Sequence, residues 1–192
     1  MKTGGTIKIL GMIISLLLVA ITAASGEKEA VLDSLGRPVE TDTPYLIRVD
    51  YGIHIDVVDE GWVSRYALPF FPCPKDVMVD RNIPDYAIFS FVSLLSLPDV
   101  LRVSTEFQIY FRPSNKRCWD SGYWRVVDGL VLKGGGPDVN NTIFTIEKRG
   151  GSYRFAFKGA EIGVRSFGGP LVLSLEAARP ASFRRLNVSF VR

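Results

Sequence analysis

Short apolar–polar alternations, each ended by a glycine- or proline-rich turn, recur along most of this 192-residue chain. Phe107-Gln108-Ile109-Tyr110-Phe111 is one such run, Tyr153-Arg154-Phe155-Ala156-Phe157 a second and Leu186-Asn187-Val188-Ser189-Phe190 a third. A period of two sends alternate side chains to opposite faces of a strand, and aromatic and β-branched residues suit a half-buried pleated surface. Turn material separates the runs at Arg112-Pro113-Ser114-Asn115, Lys133-Gly134-Gly135-Gly136-Pro137, Arg149-Gly150-Gly151 and Phe167-Gly168-Gly169-Pro170. The one helix-like run, Leu175-Glu176-Ala177-Ala178, is cut short by Pro180. The pattern predicts an all-β chain. Many short strands with regular turns imply a sandwich or a barrel, and periodicity alone does not choose between them.

The first residues follow a different rule. Met1-Lys2 and Lys8 keep the start positive, an apolar stretch runs from Ile9 to Ala20, and small residues follow from Thr22 to Gly26. Charged start, short apolar centre and small-residue exit are the parts of a secretory signal peptide. A spanning helix needs about 20 apolar residues, and this run is shorter. Residues 1–25 are therefore expected to be a leader cleaved near Ala24 to Gly26. Residues 26–192 are expected to form one domain, with no membrane association once the leader is gone. The 23 basic and 20 acidic side chains give a net charge of +3, and losing Lys2 and Lys8 with the leader brings it to +1. No basic tract interleaved with aromatics stands out, which argues against a nucleic-acid partner.

The two cysteines, Cys73 and Cys118, are an even count in a chain expected to be secreted, which favours a disulfide over two free thiols. Closing roughly 45 residues would stabilise the fold by about 4 kcal/mol in the chain-entropy model. Enzyme chemistry has little to work with. The one histidine, His54, lies between Ile53 and Ile55 and reads as an imidazole on a strand or loop edge. One His and two distant Cys offer no metal-ligand spacing. Gly134-Gly135-Gly136 lacks the following Gly-Lys-Ser/Thr of a phosphate loop and reads as a turn. No cofactor is expected.

Six fragments in order carry a resemblance. Val31-Leu32-Asp33-Ser34-Leu35-Gly36-Arg37-Pro38-Val39 leads into Thr43-Pro44-Tyr45-Leu46-Ile47. Phe71-Pro72-Cys73-Pro74, the stretch from Asp99 to Ile109, and Cys118-Trp119 with Tyr123-Trp124-Arg125-Val126 follow. Phe144-Thr145-Ile146-Glu147-Lys148 with Gly151-Ser152-Tyr153-Arg154-Phe155, then Leu171 to Leu175 with Val188-Ser189-Phe190, complete the set. Together they resemble the plant Kunitz family of protease inhibitors, the soybean trypsin inhibitor type. The resemblance implies a β-trefoil: twelve strands in three pseudo-repeats, a six-stranded barrel closed by three hairpins. It places Cys73 and Cys118 as the family's first disulfide. The second pair, expected around Phe157 to Gly163, is absent.

The resemblance also implies an inhibitory loop just before the strand placed at Leu101 to Phe111. That loop is Leu94, Leu95, Ser96, Leu97, Pro98, Asp99, Val100 and Leu101, and it contains no Lys or Arg. Aligning on Arg102 puts the pocket-filling residue near Val100, with Leu97 the other option. The loop-supporting Asn of the family is matched by Thr41, which offers fewer hydrogen-bond groups. The implied function is a secreted or vacuolar endopeptidase inhibitor, acting as a monomer. Its partner would be a serine protease with an apolar S1 pocket or a cysteine protease, rather than trypsin. The alternative is a non-inhibitory binding, storage or defence protein of the miraculin-like kind. A pigment carrier is disfavoured, because the chlorophyll-binding relatives carry a Cys-Pro-Leu-Gly-type loop where this chain has Cys73-Pro74-Lys75-Asp76. Trp124 reads as core, whereas Trp62 and Trp119 flank turns and stay open.

Asn140-Asn141-Thr142 and Asn187-Val188-Ser189 are N-glycosylation acceptor patterns. The first lies beside a turn and the second in a predicted strand. For the cysteines, thiol titration of the unfolded, unreduced mature protein should find no free thiol. Two titratable thiols would remove the Cys73–Cys118 bond.

Overall fold

A computed structural model describes residues 27–54, 57–65, 77–81, 88–94, 100–112, 122–137, 140–166, 171–176 and 183–192. The expected leader, Cys73, Cys118, Trp119 and residues 95–99 lie outside the described residues. The strands are β1 (Leu46–His54), β2 (Val57–Arg65), β3 (Val77–Asp80), β4 (Ile88–Ser93), β5 (Glu106–Arg112) and β6 (Gly122–Val127). They continue with β7 (Leu130–Gly135), β8 (Phe144–Arg149), β9 (Ser152–Phe157), β10 (Ala160–Ser166), β11 (Leu171–Leu175) and β12 (Arg184–Val191).

Six of these strands close a ring, every pairing antiparallel. β12 pairs with β1, β4 with β5, β5 with β8, β8 with β9 and β9 with β12. The seam between β1 and β4 is made at Tyr45 and Phe89, which exchange two backbone hydrogen bonds of 2.7 and 2.9 Å. The other six strands form the hairpins β2–β3, β6–β7 and β10–β11. β11 pairs with both β3 and β7, so the three hairpins meet one another. A six-stranded barrel and three associated hairpins make a β-trefoil, as the resemblance implies.

Aromatic rings fill the barrel. Phe91, Phe107, Phe155 and Phe190 come from β4, β5, β9 and β12, and all are buried. Phe91 meets Phe190 at 5.2 Å and Phe107 at 5.6 Å, both edge to face. Such tilted pairs add about 0.5–1.5 kcal/mol each beyond the area they bury. Trp124 is fully buried against Phe89, Phe144 and Phe155, the core position its strand pattern predicts.

Two local expectations are corrected. Lys133-Gly134-Gly135 is not turn material but the end of β7, where Gly135 pairs with Tyr123 and the register shifts between Tyr123 and Trp124. Gly134 has φ +112°, a conformation open to glycine, and a Cβ on Gly122 would lie 3.0 Å from the Gly134 Cα. The glycines therefore serve an irregularity and a close strand approach. The strand expected from Leu101 begins only at Glu106, because the chain turns at Val103-Ser104, where Ser104 has φ +55°. The Thr105 hydroxyl donates to the Arg102 carbonyl at 2.5 Å, and the Ser104 N–H donates to Ile146.

Phe91→Ala should cost about 3–5 kcal/mol, because four aromatic neighbours cannot collapse into the cavity. Gly163→Ala should also destabilise, since its Cβ would stand 2.2 Å from the Arg184 carbonyl oxygen. Urea unfolding midpoints of both variants against wild type check these outcomes, with Gly136→Ala, which meets nothing, as the control.

Candidate functional site

The segment from Leu94 to Leu101 leaves β4 at one end and rejoins structure ahead of β5 at the other. Its first stem is fixed by the β4–β5 ladder, which runs up to Ser93 opposite Phe107. Leu94 follows directly and is 39% exposed. Leu95, Ser96, Leu97, Pro98 and Asp99 lie outside the described residues.

The second stem is held by the N-terminal segment. Val100 bridges Glu40 and Arg102 bridges Ala30. The Leu101 N–H donates to the Val39 carbonyl at 2.7 Å, and the Leu101 carbonyl accepts from Val31 at 2.9 Å. The Val103 N–H donates to Glu29 at 2.8 Å. Leu101 is 2% exposed and packs with Val31 and Val39, both fully buried. The Arg102 guanidinium donates to the Lys28 carbonyl at 2.8 Å and pairs with Glu27.

The same segment reaches the first stem. The Asp42 N–H donates to the Phe91 carbonyl at 2.8 Å, Arg112 donates to the Asp42 carbonyl, and Tyr45 joins Phe89. Residues 29–45 thus form one brace that bonds to β4 ahead of the 94–101 span and to residues 100–103 at its other end. Thr41 sits in the brace between Glu40, which faces the second stem, and Asp42, which faces the first. Sequence reasoning named Thr41 and missed Val31, Val39 and Glu40, whose isolated backbone hydrogen bonds and bridge leave no periodic signal.

The brace is stiffened from within. Asp33 accepts through Oδ1 from the Leu35 and Arg37 N–H groups, both at 2.9 Å, and its Oδ2 takes the Arg37 guanidinium at 2.8 Å. Asp33 N–H donates to the Arg37 carbonyl at 2.7 Å, and Ser34 N–H donates to Phe190 of β12. Burial presses the Asp33 carboxyl upward, but the hydrogen bonds from Arg37 and Leu35 and the Arg37 charge hold it below its ordinary value. The Tyr45 hydroxyl accepts from the Glu40 N–H at 3.0 Å, and the Tyr153 hydroxyl accepts from Leu32 at 3.0 Å. The Glu40 carboxylate accepts from the Thr43 hydroxyl at 3.2 Å and lies 3.4 Å from Arg192. A hydrogen bond and the Glu29 charge raise the Lys148 ammonium, tying β8 to the start of the brace.

Nothing described here performs bond chemistry. Among the described residues no group of three or more His, Cys, Asp or Glu could hold a metal ion. What the arrangement can do is hold the two stems of a span that carries no Lys or Arg.

Three comparisons bear on that arrangement. The Kunitz family model described as trypsin and protease inhibitor matches residues 31–169. A Kunitz trypsin inhibitor 7 of Arabidopsis thaliana is 32% identical over 161 residues, covering 76% of this chain and 77% of that protein. The structure of the trypsin inhibitor from soybean aligns with a TM-score of 0.64 at 20% identity, over 85% of this chain and 99% of that one. A water-soluble chlorophyll protein of Brassica oleracea with chlorophyll b aligns at 0.62 and 21% identity, over 86% and 99%. At these identities the two structures establish the shared fold.

The Asp33 carboxyl is held below its unfolded value, so its stabilisation is fully present above about pH 4 and is lost as the pH falls through the folded value. Asp33→Asn should lower stability at neutral pH by about 1–3 kcal/mol and flatten the acid limb. Thermal melts of both proteins between about pH 7 and pH 2 check this, and parallel acid limbs would remove Asp33 as the linked group.

Proposed function

The chain belongs to the Kunitz family of trypsin and protease inhibitors, and from that premise we propose an endopeptidase inhibitor that works through a substrate-like loop at Leu94 to Leu101. The family is one of inhibitors and not of enzymes, so His54 has no catalytic part. The observation that carries the proposal is the brace: one segment, residues 29–45, hydrogen-bonds to both stems of that span. A span whose two stems are already held gives up less entropy when a protease cleft closes on it than one with free ends.

Specificity follows from chemistry. A trypsin-type pocket presents a buried carboxylate that needs a cation, and the span supplies none. Leaving that carboxylate unpaired is penalised. An apolar pocket instead gains roughly 1.5–3 kcal/mol from burying a Val or Leu side chain. The target is therefore a protease with an apolar S1 pocket or a cysteine protease, reached by the secretory route for which residues 1–25 are the proposed leader. Val100 is half-buried and bridged to Glu40, so an arginine there would stand beside a carboxylate of its own chain. Leu97 lies in the span between the two held stems.

A second reading rests on the same lack of charge. A scaffold whose loop inhibits nothing would be a binding or storage protein, and the fold is shared with a chlorophyll protein. An absorption spectrum after mixing with chlorophyll separates that case.

The proposal is tested by an inhibition panel of trypsin, chymotrypsin, elastase, subtilisin and papain. Wild type should inhibit at least one enzyme with an apolar pocket, or papain, more tightly than trypsin by roughly tenfold or more. Val100→Arg and Leu97→Arg, run side by side, should each be read against trypsin and chymotrypsin. The variant that gains trypsin inhibition identifies the pocket-filling position. An inert wild type with no gain in either variant would overturn the inhibitory reading.

A further inference from the structure

We infer that Asn140, and not Asn187, carries an N-linked oligosaccharide, whose first sugar lies in the groove between Asn140, Ile143 and Lys158. The two acceptor patterns have different surroundings. Asn140 is exposed in the turn between β7 and β8. The residues after it hold the turn in place: the Asn141 carbonyl accepts from Val126 at 2.9 Å, and Thr142 is fully buried. Its hydroxyl accepts from the Gln108 amide at 2.7 Å. The acceptor amide is thus offered at the surface by a turn pinned just behind it.

Asn187 sits inside β12, directly opposite Asp50 of β1. Its Oδ1 accepts from the Ser152 hydroxyl and the Arg154 guanidinium, each at 3.2 Å. Arg154 in turn pairs with Glu161 at 3.1 Å. Residues directly opposite in an antiparallel pair have Cβ atoms about 4.5–5.5 Å apart. The Asn187 carboxamide is thus held by two β9 side chains at a half-buried position inside a strand, whereas Asn140 stands exposed in a turn.

The groove beside Asn140 has a volume of about 440 Å³ and is lined by Glu106, Asn140, Ile143, Thr145, Lys158 and Gly159. Ile143 provides an apolar surface for the C–H face of a pyranose. Glu106 and Thr145, paired across β5 and β8, provide polar groups for its hydroxyls. That mixture suits a sugar better than a purely apolar ligand.

The inference rests on the proposed leader, because the donor, a polyprenyl-pyrophosphate oligosaccharide, and its transferase act in the secretory lumen. The Asn140 Nδ2 forms a bond to C1 of the donor sugar as the bond from C1 to the pyrophosphate oxygen breaks. The lipid pyrophosphate leaves, and the amide proton passes to a base of the transferase. The buried Thr142 hydroxyl sets the timing, since it is accessible to the transferase only before β8 packs on β5.

The full-length chain, Asn140→Gln and Asn187→Gln would be produced in plant cells and mapped by glycopeptide mass spectrometry. Wild type and Asn187→Gln should carry a glycan on Asn140, and Asn140→Gln should carry none. Hydrogen exchange at the Gly159 amide should be slower in wild type trimmed to its first sugar than in Asn140→Gln. Asn140 unmodified, in secreted or in retained protein, overturns the site, as does a glycan on Asn187. Equal exchange at Gly159 overturns the seating in the groove.

Discussion

Tyr45 is where barrel, core and brace meet. Its two backbone bonds to Phe89 make the seam between β1 and β4, the join in the ring that rests on a bridge and not on a named ladder. Its ring is 1% exposed and contacts Phe91 at 6.1 Å, which binds the seam to the aromatic cluster. Its hydroxyl accepts from Glu40, the residue bridged to the second stem of the 94–101 span. A buried phenol left without that donor would carry a desolvation cost of about 1–3 kcal/mol. One residue therefore links closure of the barrel to the segment that carries the second stem.

The parts of this architecture that the sequence discloses are those with local periodicity. Phe107 to Phe111, Tyr153 to Phe157 and Leu186 to Phe190 alternate over five residues, and each lies within a strand. Trp124 is core because its neighbours Tyr123 and Arg125 fall on the other phase of the same strand. Signals fail where geometry departs from the period. Gly134 and Gly135 resemble turn residues because the same conformational freedom that makes turns also makes a register shift in β7. The ring itself is illegible in any one segment: β1 meets β12 across most of the chain, and no spacing rule reaches that far. The trefoil was readable only through its resemblance to a family.

The candidate site was legible to a similar degree. Absence of Lys and Arg from Leu94 to Leu101 is a plain fact of sequence, and it directs attention to apolar pockets. The support of the loop is not, because Val31, Val39 and Glu40 act through their backbones and any residue has a backbone. Asp33 is the exception. An Asp ahead of a Gly-Arg-Pro turn, as Asp33 is ahead of Gly36-Arg37-Pro38, can bond through its short carboxylate to the N–H groups after it, and Asp33 does so twice. The mechanical reason for that turn appears only in the structure: it sends Val39 and Glu40 back alongside Val31 and Leu101.

A support made of main-chain bonds has a consequence for specificity. The bonds from Leu101 to Val39 and Val31, from Val103 to Glu29 and from Asp42 to Phe91 do not depend on which side chains the loop carries. The stems can therefore keep their positions while the residues between them change from basic to apolar. A supporting side chain would add to that frame, and Thr41, the residue the resemblance matches to the family's Asn, offers fewer donors and acceptors than an Asn. Residues 29–45 hold the stems through their backbones, so under the proposed reading the side chains of residues 94–101 can vary separately from their support. The same fold is found in a trypsin inhibitor and in a chlorophyll protein, so the fold by itself does not fix the function. Under the proposed reading, what distinguishes this chain lies in the uncharged side chains of residues 94–101 and not in the scaffold.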